Sequence, residues 1–342
     1  MNDKVMVAGA GKSGIAAAKL LLETGGTVLL YDSNEKLDTE KVLAEFPEKS
    51  KITLKLGELE KSDFSGVQIC VMSPGIDLET PFVKLLTDNK VQLWSEIELG
   101  YQVAKGQLVA VTGTNGKTTT VTLTGQIMKN AFEDAFTVGN IGFPYTEAAL
   151  KTTEKSVTVL EASSFQLETI IRFHPHVAAI TNITPDHLNR HHTMENYIRI
   201  KEDITANMTK EDFIVLNYDD EALRAFGKSD ACPAVPVFFS SRELLEDGYD
   251  IEDGVICRKT KGIISHWMQH IVTLHSLHTR HDIGCGIAFR MSGMKAYSGW
   301  IGKHIQCIEL RFREIPHICL ECFVFFPIFL PFFLNGFMII HF

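Results

Sequence analysis

Apolar runs and mixed, helix-like segments take turns along the first 260 or so residues. The opening stretch, KVMVAGAGKSGIAAAKLLLETGGTVLLYD, predicts strand, glycine turn, helix, turn and strand. VQICVMS predicts a further strand ending in the turn Ser73-Pro74-Gly75. Residues 1–92 therefore predict a small α/β domain. A second α/β unit, 93–261, follows the same alternation. Its predicted strands are LVAVT (Leu108–Thr112), SVTVLE, HVAAITNI and DFIVLN, with helices from Thr118 and from Thr193. Strands alternating with helices in this way predict doubly wound, mostly parallel sheets.

Candidate chemistry clusters at the predicted strand ends, the edge at which open α/β sheets bind ligands. Residues 113–120 read GTNGKTTT between a strand and a helix. Such a loop, from Gly113, Thr114, Asn115 and Gly116 to Lys117, Thr118 and Thr119, turns backbone N–H groups toward an anion at a helix N-terminus. Lys117 adds a point charge for terminal phosphates, and the Thr118 hydroxyl suits Mg²⁺. The strict G-x-x-x-x-G-K-[ST] pattern needs its first glycine at 111, where this chain has Val111. An ordinary glycine-containing turn is the plainer alternative. Glu161 closes the run SVTVL at the same edge, placed to hold a metal against a nucleotide. His187 follows VAAITNI beside Asp186, whereas His174, His176, His191 and His192 read as structural.

Lys201 breaks a pattern. Counted at about 100° per residue, Tyr197, Ile200, Ile204 and Met208 share one helix face, and Lys201 falls among them. A lysine on an apolar face either snorkels to water or has a buried partner. Desolvated, it loses its proton more readily, and a neutral amine can take up carbon dioxide as a carbamate.

Composition narrows the classes. At 342 residues, the chain has room for two or three domains. Its formal net charge of -9 argues against nucleic acid or an anionic membrane as partner. The seven cysteines lack framework spacing, and Cys319 and Cys322 form a lone C-x-x-C. The start runs directly into a strand pattern with no signal peptide, so a cytoplasmic location and no membrane association are expected for 1–261. Gly9, Gly11 and Gly14 with Asp32 match a dinucleotide fingerprint, which admits a dehydrogenase as a competing function.

Taken together, GTNGKTTT, GNIG (139–142), E-x-SSFQLE, DHLNRHHTMENY and the lysine of IRIK resemble the Mur ligases in order and spacing. SSFQLE is especially similar to the branch that adds D-glutamate. The resemblance covers 1 to about 261 and includes the displaced first glycine of the phosphate loop. It implies an N-terminal Rossmann-like domain and a central P-loop ATPase-like sheet. The implied reaction uses ATP to convert UDP-N-acetylmuramoyl-L-alanine to an acyl phosphate, which D-glutamate attacks, as a step of peptidoglycan precursor synthesis. Lys117 then stabilises the transferring phosphoryl group. Thr118 and Glu161 hold one Mg²⁺, and His187 and carbamylated Lys201 hold a second. Asn140 and Ser163 face the substrate, and Lys12, Ser13, Asp32, Ser33, Ser73 and Gly75 form a uridine-diphosphate pocket. A monomer is expected. The dehydrogenase alternative leaves Lys117, Glu161, His187 and Lys201 without roles.

The family's third, Rossmann-like domain is not recognisable. After Asp253, Glu is confined to Glu309, Glu314 and Glu321, Asp to Asp282, and the chain ends in CFVFFPIFLPFFLNGFMIIHF. Residues 263–342 read as a replacement domain, a membrane helix over Cys322–Phe342 that Pro327 and Pro331 interrupt, or an out-of-frame tail without native structure. The abrupt change favours the last. The alternative function that goes with it is a fragment that binds nucleotide and UDP-sugar without completing catalysis.

Overall fold

The computed structural model describes residues 4–268 except 48, 141, 253–254 and 261–262. The chain opens with β1 (Lys4–Ala8), α1 (Lys12–Glu23), β2 (Thr27–Asp32), α2 (Thr39–Ala44), β3 (Ile52–Leu56), β4 (Ile69–Met72), α3 (Pro81–Asp88) and β5 (Gln92–Ser95). These strands form a five-stranded parallel sheet in the order β3-β2-β1-β4-β5. The chain winds outward in one direction from β1 and in the other from β4. Between those two strands lies the crevice where such sheets take ligands. Strand β1 is buried on both faces. Val5 and Val7 pack on the α1 side and Met6 and Ala8 on the other, which is why its sequence is continuously apolar rather than alternating.

The glycine turn after β1 is fixed by close packing. A Cβ at Gly14 would lie 1.8 Å from the Gly9 carbonyl oxygen, a backbone atom that cannot step aside. Gly14→Ala is expected to destabilise the first domain by on the order of 3 kcal/mol. Urea unfolding checks this, and an unchanged midpoint would contradict it.

Helix α4 (Glu96–Val103) then leads to β6 (Gln107–Thr112), α5 (Lys117–Ala131), β7 (Ala135–Gly139), α6 (Tyr145–Ala148), β8 (Val157–Glu161), α7 (Ser164–Leu167), β9 (Val177–Ile180), α8 (Leu188–His191), α9 (Met194–Glu202), β10 (Phe213–Asn217), α10 (Glu221–Lys228), β11 (Val235–Phe239), β12 (Gly248–Glu252), β13 (Val255–Thr260) and β14 (Ile263–Met268). The second sheet has nine strands in the order β14-β13-β12-β11-β10-β9-β6-β8-β7. It is parallel from β7 to β12, and β12-β13-β14 form an antiparallel meander. The chain lays β7 and β8 on one side of β6 and β9 to β11 on the other. The loop after β6 therefore sits at this sheet's own switch point.

Two boundaries differ from the sequence reading. The division at residue 92 falls inside β5, whose residues pair with β4 of the first sheet, so that sheet runs on to Ser95. The run LWS carries no mark of which sheet it joins. Residues 263–268, the head of the segment expected to lack native structure, form β14 and pair with β13. The β-branched pair Ile263-Ile264 suits an extended strand. The rest of that segment, with its candidate membrane helix, lies outside the described residues. Among the described residues no helix is long and apolar enough to cross a membrane.

Two buried carboxylates on α4 tie that helix to the second unit. Glu96 accepts from the Thr146 backbone N and Oγ1, both at 2.7 Å. Its burial raises its pKa, while those hydrogen bonds pull the other way. Glu98 accepts from the backbone N–H groups of Ile171, Arg172 and Phe173 at 2.8–3.1 Å.

Candidate active site

Strand register assembles the site. In the parallel ladder Val111 of β6 and Gly139 of β7 both stand opposite Glu161 of β8. The chain segments that leave those three strands therefore lie side by side. The Thr118 Oγ1 donates to Glu161 Oε2 at 2.9 Å, and Asn140 Nδ2 donates to Glu161 Oε1 at 3.1 Å. Glu161 is 2% exposed. Thr118, Glu161 and Asn140, nominated separately from sequence, are thus one hydrogen-bonded group.

The loop Gly113–Thr118 follows β6 as expected. Val111, where the strict motif has glycine, is a fully buried strand residue in one core cluster with Val121 and Val159. The turn begins two residues later, at Gly113, whose φ of +138° and 2.0 Å approach of Thr181 Oγ1 to a notional Cβ admit only glycine. The back of the loop is held by the segment after β9. The Asn115 N–H donates to Asn182 Oδ1 at 2.9 Å, and Thr181 Oγ1 and Asn182 Nδ2 donate to the Asn115 carbonyl. Thr114 Oγ1 is 3.2 Å from the Tyr197 hydroxyl. Thr181, Asn182 and Tyr197 were not singled out as loop supports. The polar pair Thr181-Asn182 carried the signal, set where the continuously apolar strand VAAI ends.

Two lysines converge on the Gly113 carbonyl, Lys117 Nζ at 3.0 Å and Lys201 Nζ at 2.8 Å. Lys117 also donates to the Thr114 carbonyl. Lys201 is 1% exposed, and its ammonium lies 4.7 Å from the Tyr197 ring centroid. It does not snorkel. Burial, reinforced by the charge of Lys117, pushes its pKa down to about 7, with Asp186 pulling weakly the other way. Burial lowers Lys117 as well, opposed by Glu161 and Asp186.

His187 caps α8 in a left-handed conformation, φ +52°. Its ring centroid is 4.9 Å from that of Phe165, and its Nε2 is 3.5 Å from Asp186 Oδ2. Ser163 is the N-cap of α7 and closes a capping box with Gln166. His191, taken as structural, is fully buried. Its Nε2 is 2.9 Å from Ser164 Oγ, its Nδ1 is 3.2 Å from Glu168, and burial followed by the Arg190 charge lowers its pKa to about 4.

In the first domain the Gly9–Ser13 turn and Ser73–Gly75 meet at the β1/β4 crevice. A Cβ at Gly9 would lie 2.5 Å from Ser73 Oγ, and that buried hydroxyl has no hydrogen-bond partner in the structure. The Asp32 carboxylate is taken up by the Ala10 and Asn34 backbone N–H groups at 2.8 and 2.9 Å, while Ser33 and Gly75 are exposed. Lys12 reaches across to the second domain. It donates to the Gly142 carbonyl at 2.5 Å and lies over the Phe143 ring.

The oxygen donors Glu161 and Thr118 form the hard, anionic set that Mg²⁺ prefers. Among the described residues a different trio, Asp250, Glu252 and Cys257, brings its ligand atoms within 4.8 Å. There the Lys259 ammonium lies 3.0 Å from both carboxylates, in the place a cation would take.

Residues 3–95 match the model of the Mur ligase MurD-like N-terminal domain, and 111–273 match the Mur ligase middle domain, beyond Lys261 where the sequence pattern alone breaks off. The chain is 48% identical over 256 residues to UDP-N-acetylmuramoylalanine–D-glutamate ligase of Lachnoclostridium phytofermentans, covering 75% of this chain and 56% of that protein. To its counterpart in Caldanaerobacter subterraneus it is 40% identical over 316 residues, covering 92% of this chain and 68% of the relative. The chain thus spans little more than half the length of the first of these relatives. A UDP-N-acetylmuramate:L-alanyl-gamma-D-glutamyl-meso-diaminopimelate ligase from Neisseria meningitides shares the fold, with a TM-score of 0.52 at 14% identity, over 86% of this chain and 95% of that one. The chain belongs to the Mur ligases, within the family of UDP-N-acetylmuramoylalanine–D-glutamate ligases.

Proposed function

We propose that this chain serves ATP-dependent addition of D-glutamate to UDP-N-acetylmuramoyl-L-alanine, in the cytoplasm and as a monomer. The carboxylate oxygen of the alanyl group attacks the γ-phosphorus of ATP, and ADP leaves. The D-glutamate amine then attacks the acyl phosphate carbon, forming the amide, and phosphate and the amine proton depart. The observation that carries this reading is the phosphate loop with Lys117 beside the Thr118–Glu161–Asn140 group at one sheet edge.

In this reading, the loop N–H groups and the α5 N-terminus hold the nucleotide phosphates. Lys117 leaves the Gly113 and Thr114 carbonyls to meet the charge that develops on the transferring group. Glu161 and Thr118 would hold Mg²⁺, and His187 with Lys201 as its carbamate would hold a second. Bound magnesium would neutralise phosphate charge and draw the two anionic reactants together. Asn140 and Ser163 face the acid being activated. Lys12, Ser13, Ser73 and Gly75 bind the uridine diphosphate, with Asp32 shaping the turn and Ser33 at its rim. Ser73 Oγ, buried and unpaired, supplies a free hydrogen-bonding group there.

Calorimetric titration tests the reading. Magnesium with a non-hydrolysable ATP analogue is expected to bind the chain with a Kd of about 1–100 µM, and so is uridine diphosphate. Reduced nicotinamide dinucleotide is expected not to bind. Saturable nicotinamide binding with no response to the ATP analogue would overturn the proposal in favour of a dehydrogenase.

A further inference from the structure

Arg190 reaches three neighbours in three directions. One end of its guanidinium donates to Glu168 Oε2 at 2.5 Å, and Nη1 donates to the Pro74 carbonyl at 3.2 Å. Its plane lies 4.2 Å from the Phe165 ring centroid. The side chains of Arg190 and Glu168 are each 11% exposed, so this ion pair is largely shielded from solvent. Phe165 is in turn packed against the His187 ring. Pro74 sits between Ser73 and Gly75, in the turn at the first domain's crevice. One side chain therefore touches both the edge of the candidate uridine-diphosphate pocket and the aromatic ring that holds His187.

Only arginine suits this place. Its fork serves a carboxylate and a carbonyl at once while its face covers a ring, whereas lysine offers one point charge and no plane. The neighbouring contact across the same seam, His192 Nε2 to Glu79 Oε1 at 2.9 Å, is exposed and offers less restraint.

We propose that Arg190 is a positioning residue that couples a nucleoside diphosphate in the first domain to the nucleotide site of the second. When the ligand orders the Ser73–Gly75 turn, the Pro74 carbonyl fixes the guanidinium. The guanidinium then fixes Phe165 and, through it, the ring of His187. This inference rests on the functional reading above. A mere staple between α7 and α8 would hold the fold together without linking two ligands, and reciprocal coupling separates the two roles.

The test is a calorimetric cycle on the whole chain, measuring the Kd of the magnesium ATP analogue with and without saturating uridine diphosphate. The parent is expected to bind the analogue about fivefold more tightly when uridine diphosphate is present. Arg190→Lys is expected to bind each ligand alone within about twofold of the parent, and the coupling is expected to fall to about one. A parent that binds both ligands without coupling overturns the proposal, as does a lysine variant that keeps the fivefold effect. If the lysine variant folds poorly, Glu168→Gln is read instead: reduced coupling supports the proposal and full coupling overturns it. A parent that binds neither ligand fails at the earlier step and overturns the functional reading itself.

Discussion

Lys201→Met is expected to make the protein more stable at neutral pH and, in a version extended to the length of its relatives, far slower as a ligase. The amine is buried, and its pKa is pushed down from 10.5 to about 7. In the unfolded chain it binds its proton up to the higher value. Between pH 7 and 10.5 the unfolded state therefore holds more protons, and stability rises with pH across that window. The cost of burying the ammonium is fully present at pH 7 and below and is gone above 10.5. That cost is on the order of 4 kcal/mol at pH 7, and the hydrogen bond to Gly113 offsets about 1 of it. Methionine is close in volume and carries no charge, and Lys117 still serves the Gly113 carbonyl.

The variant should thus gain about 3 kcal/mol at pH 6.5, shrinking toward zero by pH 10. Urea unfolding in carbon-dioxide-free buffer with EDTA measures both. A variant less stable than the parent at pH 6.5, or a difference that ignores pH, contradicts the desolvation argument. In a version extended to the length of its relatives, turnover should fall about 10²–10³-fold, with partial rescue by a short carboxylate such as formate. Opposite signs for stability and activity are what a strained functional group predicts and a packing residue does not.

That the lysine was visible in the sequence follows from helical periodicity alone. Tyr197 and Ile200 set a buried face, and Lys201 shares it. Glu161 was visible for a similar reason, because a run of buried strand residues has to end at the sheet edge. The loop Gly113–Thr118 was legible through its residue types, two glycines followed by Lys117 and Thr118 between a strand and a helix. What periodicity does not carry is docking between elements far apart in the chain. Nothing in DHLNRH marks Arg190 for Pro74, which lies 116 residues earlier, and nothing in SEIE marks Glu98 for the amides at 171–173. The division at residue 92 cut through β5 for the same reason, since the short apolar pair Leu93-Trp94 fits either sheet until a partner strand claims it. Lys12 read as a pocket residue from its place at the glycine turn. That its ammonium rests on Gly142 depends on how the two domains meet.

Glu161→Gln is expected to remove the magnesium dependence of nucleotide binding while leaving the fold and the metal-free binding intact. The amide keeps the shape of the side chain and can still accept from Asn140, and the Thr118 hydroxyl can rotate to accept from the new N–H. What is lost is a negative charge at a site that is 2% exposed, with the Lys117 charge acting on it from the same pocket. A hard dication held by oxygen donors depends on that charge more than on the geometry of the amide that replaces it. The parent should bind the ATP analogue about a hundredfold more tightly with magnesium than with EDTA, and the variant only a few-fold. Calorimetry under the two conditions reads the ratio directly. If the variant kept the full magnesium effect, the metal would have to be held elsewhere, and the hydrogen-bonded group of Thr118, Glu161 and Asn140 would be a brace for the phosphate loop. The register argues for the charged role. A brace needs only a polar side chain opposite Val111 and Gly139, and a threonine or asparagine would serve at lower desolvation cost.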